Sequence, residues 1–94
     1  MSYRVVWKKT ARKQLESLSP KQQLMVFGWV REHLDGCDNP KSLPECKKLA
    51  GTENGWRYRV GSYRLLAEIR DEELVIKILR VGHRQGVYTN LPKM

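Results

Sequence analysis

The sequence predicts an α+β domain in which two helices cover one face of a small, mainly antiparallel sheet. The chain has 94 residues, a length that builds one hydrophobic core, so we expect a single domain over residues 1–94. Apolar residues recur at helical spacing only between residues 10 and 34, whereas the runs on either side of this segment have the pattern of strands. The predicted order of elements is β-α-α-β-β-β.

The first strand and the first helix are predicted from residues 2–18. In "SYRVVWK" (residues 2–8) every second residue, Tyr3, Val5 and Trp7, belongs to one side of a half-buried strand. Thr10 is then suited to cap a helix. The apolar residues of that helix at helical spacing are Ala11, Leu15 and Leu18. The residues expected to point outward are Arg12, Lys13 and Gln14.

A second helix is predicted to begin at Ser19-Pro20, because serine is a good cap and proline is favoured at the first helical position. It should stop at Gly36. Its apolar residues are Leu24, Met25, Val26, Phe27, Trp29, Val30 and Leu34. Two consecutive helices with a sharp junction predict a helical hairpin that lies on the sheet.

Residues 35–50, "DGCDNPKSLPECKKLA", contain two prolines and no period, so we expect a surface connection. The cysteines of the chain, Cys37 and Cys46, both lie in it. The N-terminus lacks the apolar stretch of a secretory signal, which favours reduced thiols in a cytoplasmic protein over a disulfide. A zinc site would need more ligands at closer spacing, so no metal is expected.

Three strand-like runs follow, "WRYRV", "YRLLAEI" and "LVIKILRV", separated by Gly61-Ser62 and by "RDEE" (residues 70–73). A two-residue type II′ turn at Gly61-Ser62 would pair Arg59 with Arg64 across the hairpin. The face that suits the helices then contains Trp56, Tyr58, Val60, Tyr63, Leu65, Ala67 and Ile69. The opposite face contains Arg57, Arg59, Arg64, Leu66 and Glu68.

The charge of the chain indicates a polyanionic partner. Eighteen Lys and Arg residues against ten Asp and Glu give a net charge of +8. Such an excess favours binding to nucleic acid, to an acidic protein or, less readily, to an anionic membrane surface. A basic surface kept only for solubility is the alternative. No apolar run approaches the roughly 20 residues of a membrane span.

The three hairpin arginines, Arg57, Arg59 and Arg64, predict a phosphate site. Guanidinium matches phosphate bidentately and keeps its charge at any relevant pH. Like charges directly opposite each other destabilise a sheet, so we expect a functional reason for their presence. The alternative is that these arginines are solvated, or paired with Glu68 and other acids.

The last motif, "RVGHRQGVY" (residues 80–88), adds groups that could act on a phosphate. His83 is the side chain here that titrates near neutrality without help. Arg84 can stabilise charge in phosphoryl transfer, and Tyr88 can stack on a base. A plain surface histidine and a tyrosine that only packs against the sheet are the alternatives.

The combination of "KLAGTENGWRYRVGSYRLLAEI", an acidic turn, an apolar strand and "VGHRQGVY" resembles the RelE/ParE superfamily of bacterial toxins. Within that superfamily the chain is most similar to the RelE-type mRNA interferases, and the resemblance covers essentially its whole length. It implies a metal-independent and cofactor-free endoribonuclease that enters the ribosomal A site and cleaves mRNA there. The 2′-hydroxyl would attack the adjacent phosphate, which gives a cyclic phosphate and a free 5′-hydroxyl.

The resemblance also implies roles and partners. Arg57 and Arg59 match basic residues that contact mRNA and assist the hydroxyl, and Arg64 matches the arginine that stabilises the pentavalent phosphate. Arg84 matches the arginine that acts at the leaving oxygen, and Tyr88 matches the tyrosine that stacks on a base of the mRNA. His83 stands where the family pattern has another basic residue and is our candidate for proton transfer. We add Arg80 to the predicted RNA contacts, which are Arg57, Arg59, Arg80 and Tyr88. A cognate RelB-like antitoxin, the ribosome and mRNA are the expected partners.

Two other functions fit the same predicted fold. The first is a ParE-like toxin, which poisons DNA gyrase by protein–protein contact. The second is a noncatalytic RNA- or protein-binding module that uses the same basic sheet. Cleavage inside the codons of a translated mRNA would distinguish the ribonuclease from both.

Overall fold

The computed structural model describes residues 2–83 and 87, and in this part of the chain five strands form one sheet. The strands are β1 (Arg4–Trp7), β2 (Cys46–Lys48), β3 (Gly55–Val60), β4 (Tyr63–Arg70) and β5 (Val75–Gly82). Their spatial order is β1-β5-β4-β3-β2. Only β1 and β5 run parallel, and the other three pairs are antiparallel. The mainly antiparallel α+β fold is therefore confirmed.

Two helices, α1 (Lys9–Glu16) and α2 (Pro20–His33), pack on one face of this sheet. The buried helix residues in the core are Ala11, Val26, Val30 and Leu34, the last just past the end of α2. The sheet contributes Tyr58, Val60, Tyr63, Leu65, Ala67, Ile69, Ile76, Ile78 and Val81. Trp56 packs partly buried against the same core, so the predicted apolar face of the hairpin is confirmed. Neither described helix is long and apolar enough to cross a membrane.

Neighbouring residues determine where α2 begins, whereas a distant strand determines where α1 begins. Ser19 caps α2, its hydroxyl accepting a hydrogen bond from the Gln22 N–H, and Pro20 opens the helix as predicted. The prediction that Thr10 caps α1 is wrong, because α1 already begins at Lys9. The Lys8 N–H is held by the Ile78 carbonyl at 2.9 Å, so pairing with β5 decides where the chain leaves the sheet.

The prediction of a plain surface connection over residues 35–50 is wrong at one point, the strand β2. Cys46 pairs with Tyr58 and Lys47 pairs with Arg57 across the edge of β3. Backbone bonds extend the contact on both sides, from Arg59 N–H to Glu45 O and from Leu49 N–H to Gly55 O. The unpaired backbone groups of β3 select this segment, whose own residues show no strand pattern.

The β3–β4 hairpin has the predicted register, with Val60 opposite Tyr63 and Arg59 opposite Arg64. Gly61 adopts a φ of +60° and Ser62 does not have a positive φ, as a type II′ turn requires. The turn thus sends the arginines to the face of the sheet that the helices leave open. We call this face, with its residues Lys47, Arg57, Arg59, Arg64 and Arg80, the arginine face.

Strand β5 contains one residue more than the facing segment of β4. Leu66 pairs with Arg80, but Ala67 pairs with Ile78, so Leu79 is a β-bulge. The prediction that Gln14 points outward is also wrong. Its side chain is half-buried on β5, where Oε1 accepts a hydrogen bond from the Val81 N–H at 2.8 Å.

Candidate functional site

Arg59 and Arg64 lie directly opposite each other near the turn of the β3–β4 hairpin. Cross-strand partners on one face have Cβ atoms about 4.5–5.5 Å apart, so two guanidinium groups share a small area of surface. Arg57 lies on the same side of β3, two residues before Arg59. The three arginines predicted to converge are therefore brought together.

Lys47 is a basic residue of this face that the sequence interpretation missed. It is exposed and pairs with Arg57, which puts its side chain on the same side of the sheet. Its neighbour Lys48 takes the opposite side, where Nζ donates to the carbonyl oxygens of Thr52 and Glu53. Strand β2, which contains both lysines, has only three residues. That is too few for an alternating pattern to predict the strand from the sequence.

Arg80 reaches the arginine face because of the bulge at Leu79. Side chains alternate along a strand, so an unbroken β5 would put Arg80 on the side of Ile78, in the core. The extra residue instead places Arg80 opposite Leu66, and Val81 returns to the core with 3% exposure. The predicted RNA contact of Arg80 thus depends on a feature that no sequence pattern indicated.

His83 follows β5 and approaches the hairpin turn. Its imidazole stands edge-on to the Tyr63 ring, with ring centroids 5.0 Å apart. A cavity of about 170 Å³ opens between the turn and the histidine. The residues that line this cavity are Arg59, Gly61, Ser62, Tyr63, Arg64 and His83. Two arginines and one histidine therefore line the same small cavity.

The acidic residue of the arginine face does not neutralise this cavity. The Glu68 carboxylate pairs with Arg70 at 3.3 Å, toward the other end of β4. Within residues 2–83 and 87, neither Arg57 nor Arg59 forms a salt bridge, and Arg57 Nε is buried without a hydrogen-bond partner. The interpretation in which Glu68 balances the hairpin arginines is therefore not what the structure shows.

Two predicted site residues, Arg84 and Tyr88, lie outside the described residues. Between them Val87 is described, and it is buried against Gly82. A Cβ at Gly82 would stand 2.8 Å from the Val87 Cβ, a separation that real Cβ contacts do not reach. The glycine of the "VGHR" motif therefore permits Val87 to pack closely on the end of β5.

The arrangement is suited to holding an anion. Guanidinium groups offer fixed donors to phosphate oxygens, and the imidazole adds ring nitrogens that can form hydrogen bonds. Among residues 2–83 and 87, no three His, Cys, Asp or Glu side chains form a group that could hold a metal ion. Cys37 and Cys46 are free thiols, and burial raises the pKa of each. They lie in the core-packed part of residues 35–50, away from the lining of the cavity.

Comparison with known proteins decides the family. The family described as "ParE toxin of type II toxin-antitoxin system, parDE" matches residues 5–88. The chain is 36% identical to Toxin RelG of Mycobacterium tuberculosis, over 94% of this chain and 98% of that protein. It is also 32% identical to Toxin RelE3 of Methanocaldococcus jannaschii, over 71% of this chain and 83% of that protein. The chain is a RelE-type toxin of the RelE/ParE superfamily.

Solved structures of RelE-type toxins share the fold of this toxin. The toxin–antitoxin complex RelBE2 of Mycobacterium tuberculosis matches with a TM-score of 0.75 and 33% identity, covering 89% of this chain and 100% of that chain. An archaeal RelE–RelB complex from Pyrococcus horikoshii matches with a TM-score of 0.70 and 27% identity, covering 90% and 98%. The predicted resemblance is confirmed, and the toxin belongs to a type II toxin–antitoxin system.

Proposed function

We propose that this toxin is a ribosome-dependent endoribonuclease that cleaves mRNA in the A site and so inhibits translation. The observation that carries the proposal is the cavity lined by Arg59, Arg64 and His83 at the end of the arginine face. At Arg59, no acidic residue in 2–83 neutralises the positive charge of the guanidinium group. His83 adds a side chain that can carry a proton. The names of the RelE relatives support the same class of toxin.

In this proposal the 2′-oxygen of one nucleotide attacks the phosphorus of the next phosphodiester. A bond forms between the 2′-oxygen and phosphorus while the bond from phosphorus to the 5′-oxygen breaks. The products are a 2′,3′-cyclic phosphate and a free 5′-hydroxyl. The 2′-hydroxyl loses a proton and the leaving 5′-oxygen gains one, so the reaction needs no net oxidant, reductant or water.

The arginines contribute charge at three points of this reaction. Arg64 stabilises the negative charge of the pentavalent phosphate, an effect that preorganised donors exert strongly in a protein site. Arg57 and Arg59 hold the mRNA and align its hydroxyl, because proximity and orientation alone lower such barriers. The remaining two assignments, Arg84 at the leaving oxygen and Tyr88 on a base, complete the proposed site.

His83 is the proposed proton carrier. Arginine is a poor general base because it stays protonated at any relevant pH, so the guanidinium groups of the cavity cannot readily take the proton of the 2′-hydroxyl. Histidine is the side chain that changes charge between about pH 5 and 8. His83 lines the same cavity as Arg59 and Arg64.

We also propose that a cognate RelB-like antitoxin binds this toxin, as RelB does in the complexes of its structural relatives. A net charge of +8 favours an acidic antitoxin segment that orders on contact. Apolar anchors are available on the helical layer, where Leu24 is 74% exposed beside Trp7 and Phe27. Affinity should therefore fall as salt is raised, and less steeply if the apolar anchors dominate.

Primer extension on a translated mRNA, with purified ribosomes and toxin, tests the proposed activity. We expect new 5′ ends inside codons at the A site, and we expect them to disappear when ribosomes are omitted. Intact mRNA together with gyrase-dependent DNA breaks would replace the proposal with the ParE-like function. Intact mRNA and intact DNA would leave a noncatalytic binding module.

A further inference from the structure

The α1 residue Gln14 lies on the far side of the sheet from the proposed site and yet contacts the strand that carries part of it. Strand β1 ends at Trp7, whose partner on β5 is Ile78, so β5 extends past its parallel neighbour. The Val81 N–H, three residues farther along β5, faces α1 and donates to Gln14 Oε1 at 2.8 Å. The side chain thus supplies the acceptor that a longer β1 would have supplied.

This bond fixes the strand just after the bulge. The bulge at Leu79 leaves the backbone of β5 without regular pairing at this point, and bulges bend and twist the strand that contains them. A partly buried N–H without a partner is costly, so its acceptor restrains where the following residues go. Arg80 immediately precedes Val81, and His83 follows it by two residues.

We propose that Gln14 is a positioning residue that locks the bulge of β5 and thereby keeps Arg80 on the arginine face and His83 at the cavity beside the hairpin turn. The inference rests on the proposed function for its catalytic consequence. Gln14 itself does not contact RNA in this proposal, because it lies on the helix side of the sheet. Gln14 acts only through the Val81 N–H.

The packing of α1 separates this role from simple support of the fold. Ala11 is fully buried in the core, and Leu15 packs against the core from the same helix. These contacts hold α1 on the sheet whether or not the Gln14 amide is present. Loss of the acceptor is therefore expected to act on β5 near Val81, not on the position of the helix.

The test compares three variants. Gln14→Met keeps the length of the side chain and removes the acceptor. Gln14→Glu keeps an oxygen at the same place and should rescue the bond. Gln23→Met is the matched control, because Gln23 donates to the carbonyl oxygens of Glu16 and Leu18 at 3.1 and 2.8 Å, at the junction of α1 and α2.

Two measurements are made on each variant, the single-turnover rate of mRNA cleavage at saturating ribosomes and the hydrogen exchange of the Val81 amide relative to amides in the middle of β4. For Gln14→Met we expect faster Val81 exchange and a saturating rate that is lower by up to about 100-fold, the size of a roughly 1 Å misplacement at a reacting centre. Half-saturation by ribosomes should change little. Gln14→Glu should restore most of both, and Gln23→Met should leave both at their wild-type values.

Two outcomes would overturn the inference. One is a folded Gln14→Met with wild-type Val81 exchange and a wild-type rate. The other is an equal loss of rate in Gln14→Met and Gln23→Met, which would mean that only general stability matters.

Failure of the proposed function is recognised separately. If the wild-type toxin does not cleave mRNA, the NMR signals of Arg80 Nε–H and the His83 ring decide the inference. Their displacement in Gln14→Met, and not in Gln23→Met, supports the positioning role, whereas unchanged signals in both variants contradict it.

Discussion

The two ends of the arginine face differ in how their charges are balanced. At the end of β4, Arg70 forms ion pairs with three carboxylates. They belong to Glu68, Glu72 and Glu73, at 3.3, 3.5 and 3.1 Å. At the hairpin end, Arg57 and Arg59 form no salt bridge with any residue in 2–83 or 87. Both ends belong to the same face of the same sheet.

This difference shows that carboxylates are placed around Arg70, whereas none of the carboxylates in residues 2–83 forms a salt bridge with Arg57 or Arg59. Four of the ten acidic residues lie within residues 68–73, around Arg70. That cluster holds the β4–β5 connection, as Lys41 and Tyr3 do by donating to Asp71 at 2.7 and 2.6 Å. The hairpin end keeps a net positive charge and a cavity, the combination that an RNA phosphate requires.

The largest expected effect is that of Arg64→Ala. Loss of a preorganised charge at the phosphate should lower the saturating cleavage rate by about 100- to 1,000-fold. The fold should survive, because the core lies on the other face of the sheet. Single-turnover cleavage and urea unfolding measure the two quantities. Arg64→Lys should fall between wild type and alanine, since lysine keeps the charge but not the bidentate geometry. Cleavage by Arg64→Ala at the wild-type rate would refute the role of Arg64.

A second effect separates proton transfer from charge. If His83 moves a proton, the saturating rate of the wild type depends on pH, because a proton carrier acts only in one of its protonation states. His83→Gln should flatten this profile and slow the chemical step by about 100-fold, because glutamine forms hydrogen bonds but does not gain or lose a proton. Weaker ribosome binding with an unchanged pH profile at saturation would show that His83 contacts RNA only.

Lys47 offers a smaller and more local test of the basic end. Lys47→Ala should raise the ribosome concentration for half-maximal cleavage about fivefold, equivalent to roughly 1 kcal/mol, and should reduce the salt dependence. Lys48→Ala is the matched control, since it removes the same charge from the opposite side of β2. That variant should lose some stability and keep its cleavage parameters. Equal effects of the two variants would mean that only net charge matters.

The smallest expected effect concerns the compensated end and acid pH. Hydrogen bonds from Lys41 and Tyr3 hold the pKa of Asp71 below its usual value of 3.8. The Asp71 contacts therefore stabilise the fold fully above about pH 4, and this contribution is lost as pH falls through the lowered pKa. Asp71→Asn should cost only a few tenths of a kcal/mol to about 1 kcal/mol at neutral pH, because the pair is exposed. Its loss of stability relative to wild type should shrink at low pH, as urea unfolding at pH 7 and pH 3 would show. An equal difference at both pH values would contradict this.

The same bonds act in the opposite direction at alkaline pH. The bond to Asp71, first among several causes, raises the pKa of Tyr3 to about 12 from 10.0. Stabilisation by the Tyr3 hydroxyl is therefore complete below about pH 10 and lost as pH rises toward 12. Tyr3→Phe removes this loss, and alkaline unfolding curves of the two proteins would reveal it.

Sequence reasoning succeeded where structure is decided by neighbouring residues. Gly61-Ser62 determines its own turn, and that turn determines the register of Arg59 with Arg64 and the separation of the two faces. Ser19-Pro20 likewise contains both the cap and the first residue of α2. Each of these predictions needs only a few adjacent residues, and each was confirmed.

It failed where a distant strand makes the decision. Strand β2 exists because β3 has a free edge, and α1 begins at Lys9 because Ile78 holds Lys8. The Val81 N–H, which follows the bulge, and its acceptor Gln14 are 67 positions apart in the sequence, so no local pattern links them. The roles of Arg57, Arg59, Arg64, Arg84 and Tyr88 in cleavage stay predictions.

The most direct test of the account compares Arg64→Ala with Arg70→Ala, two truncations of arginine on the same face of the same strand. Saturating mRNA cleavage and the free energy of unfolding are measured on the same preparations. We predict a crossed result, in which Arg64→Ala loses cleavage and keeps stability while Arg70→Ala keeps cleavage and loses stability. Equal loss of cleavage in both variants, or loss in Arg70→Ala alone, would contradict the division of this face into a functional and a structural end.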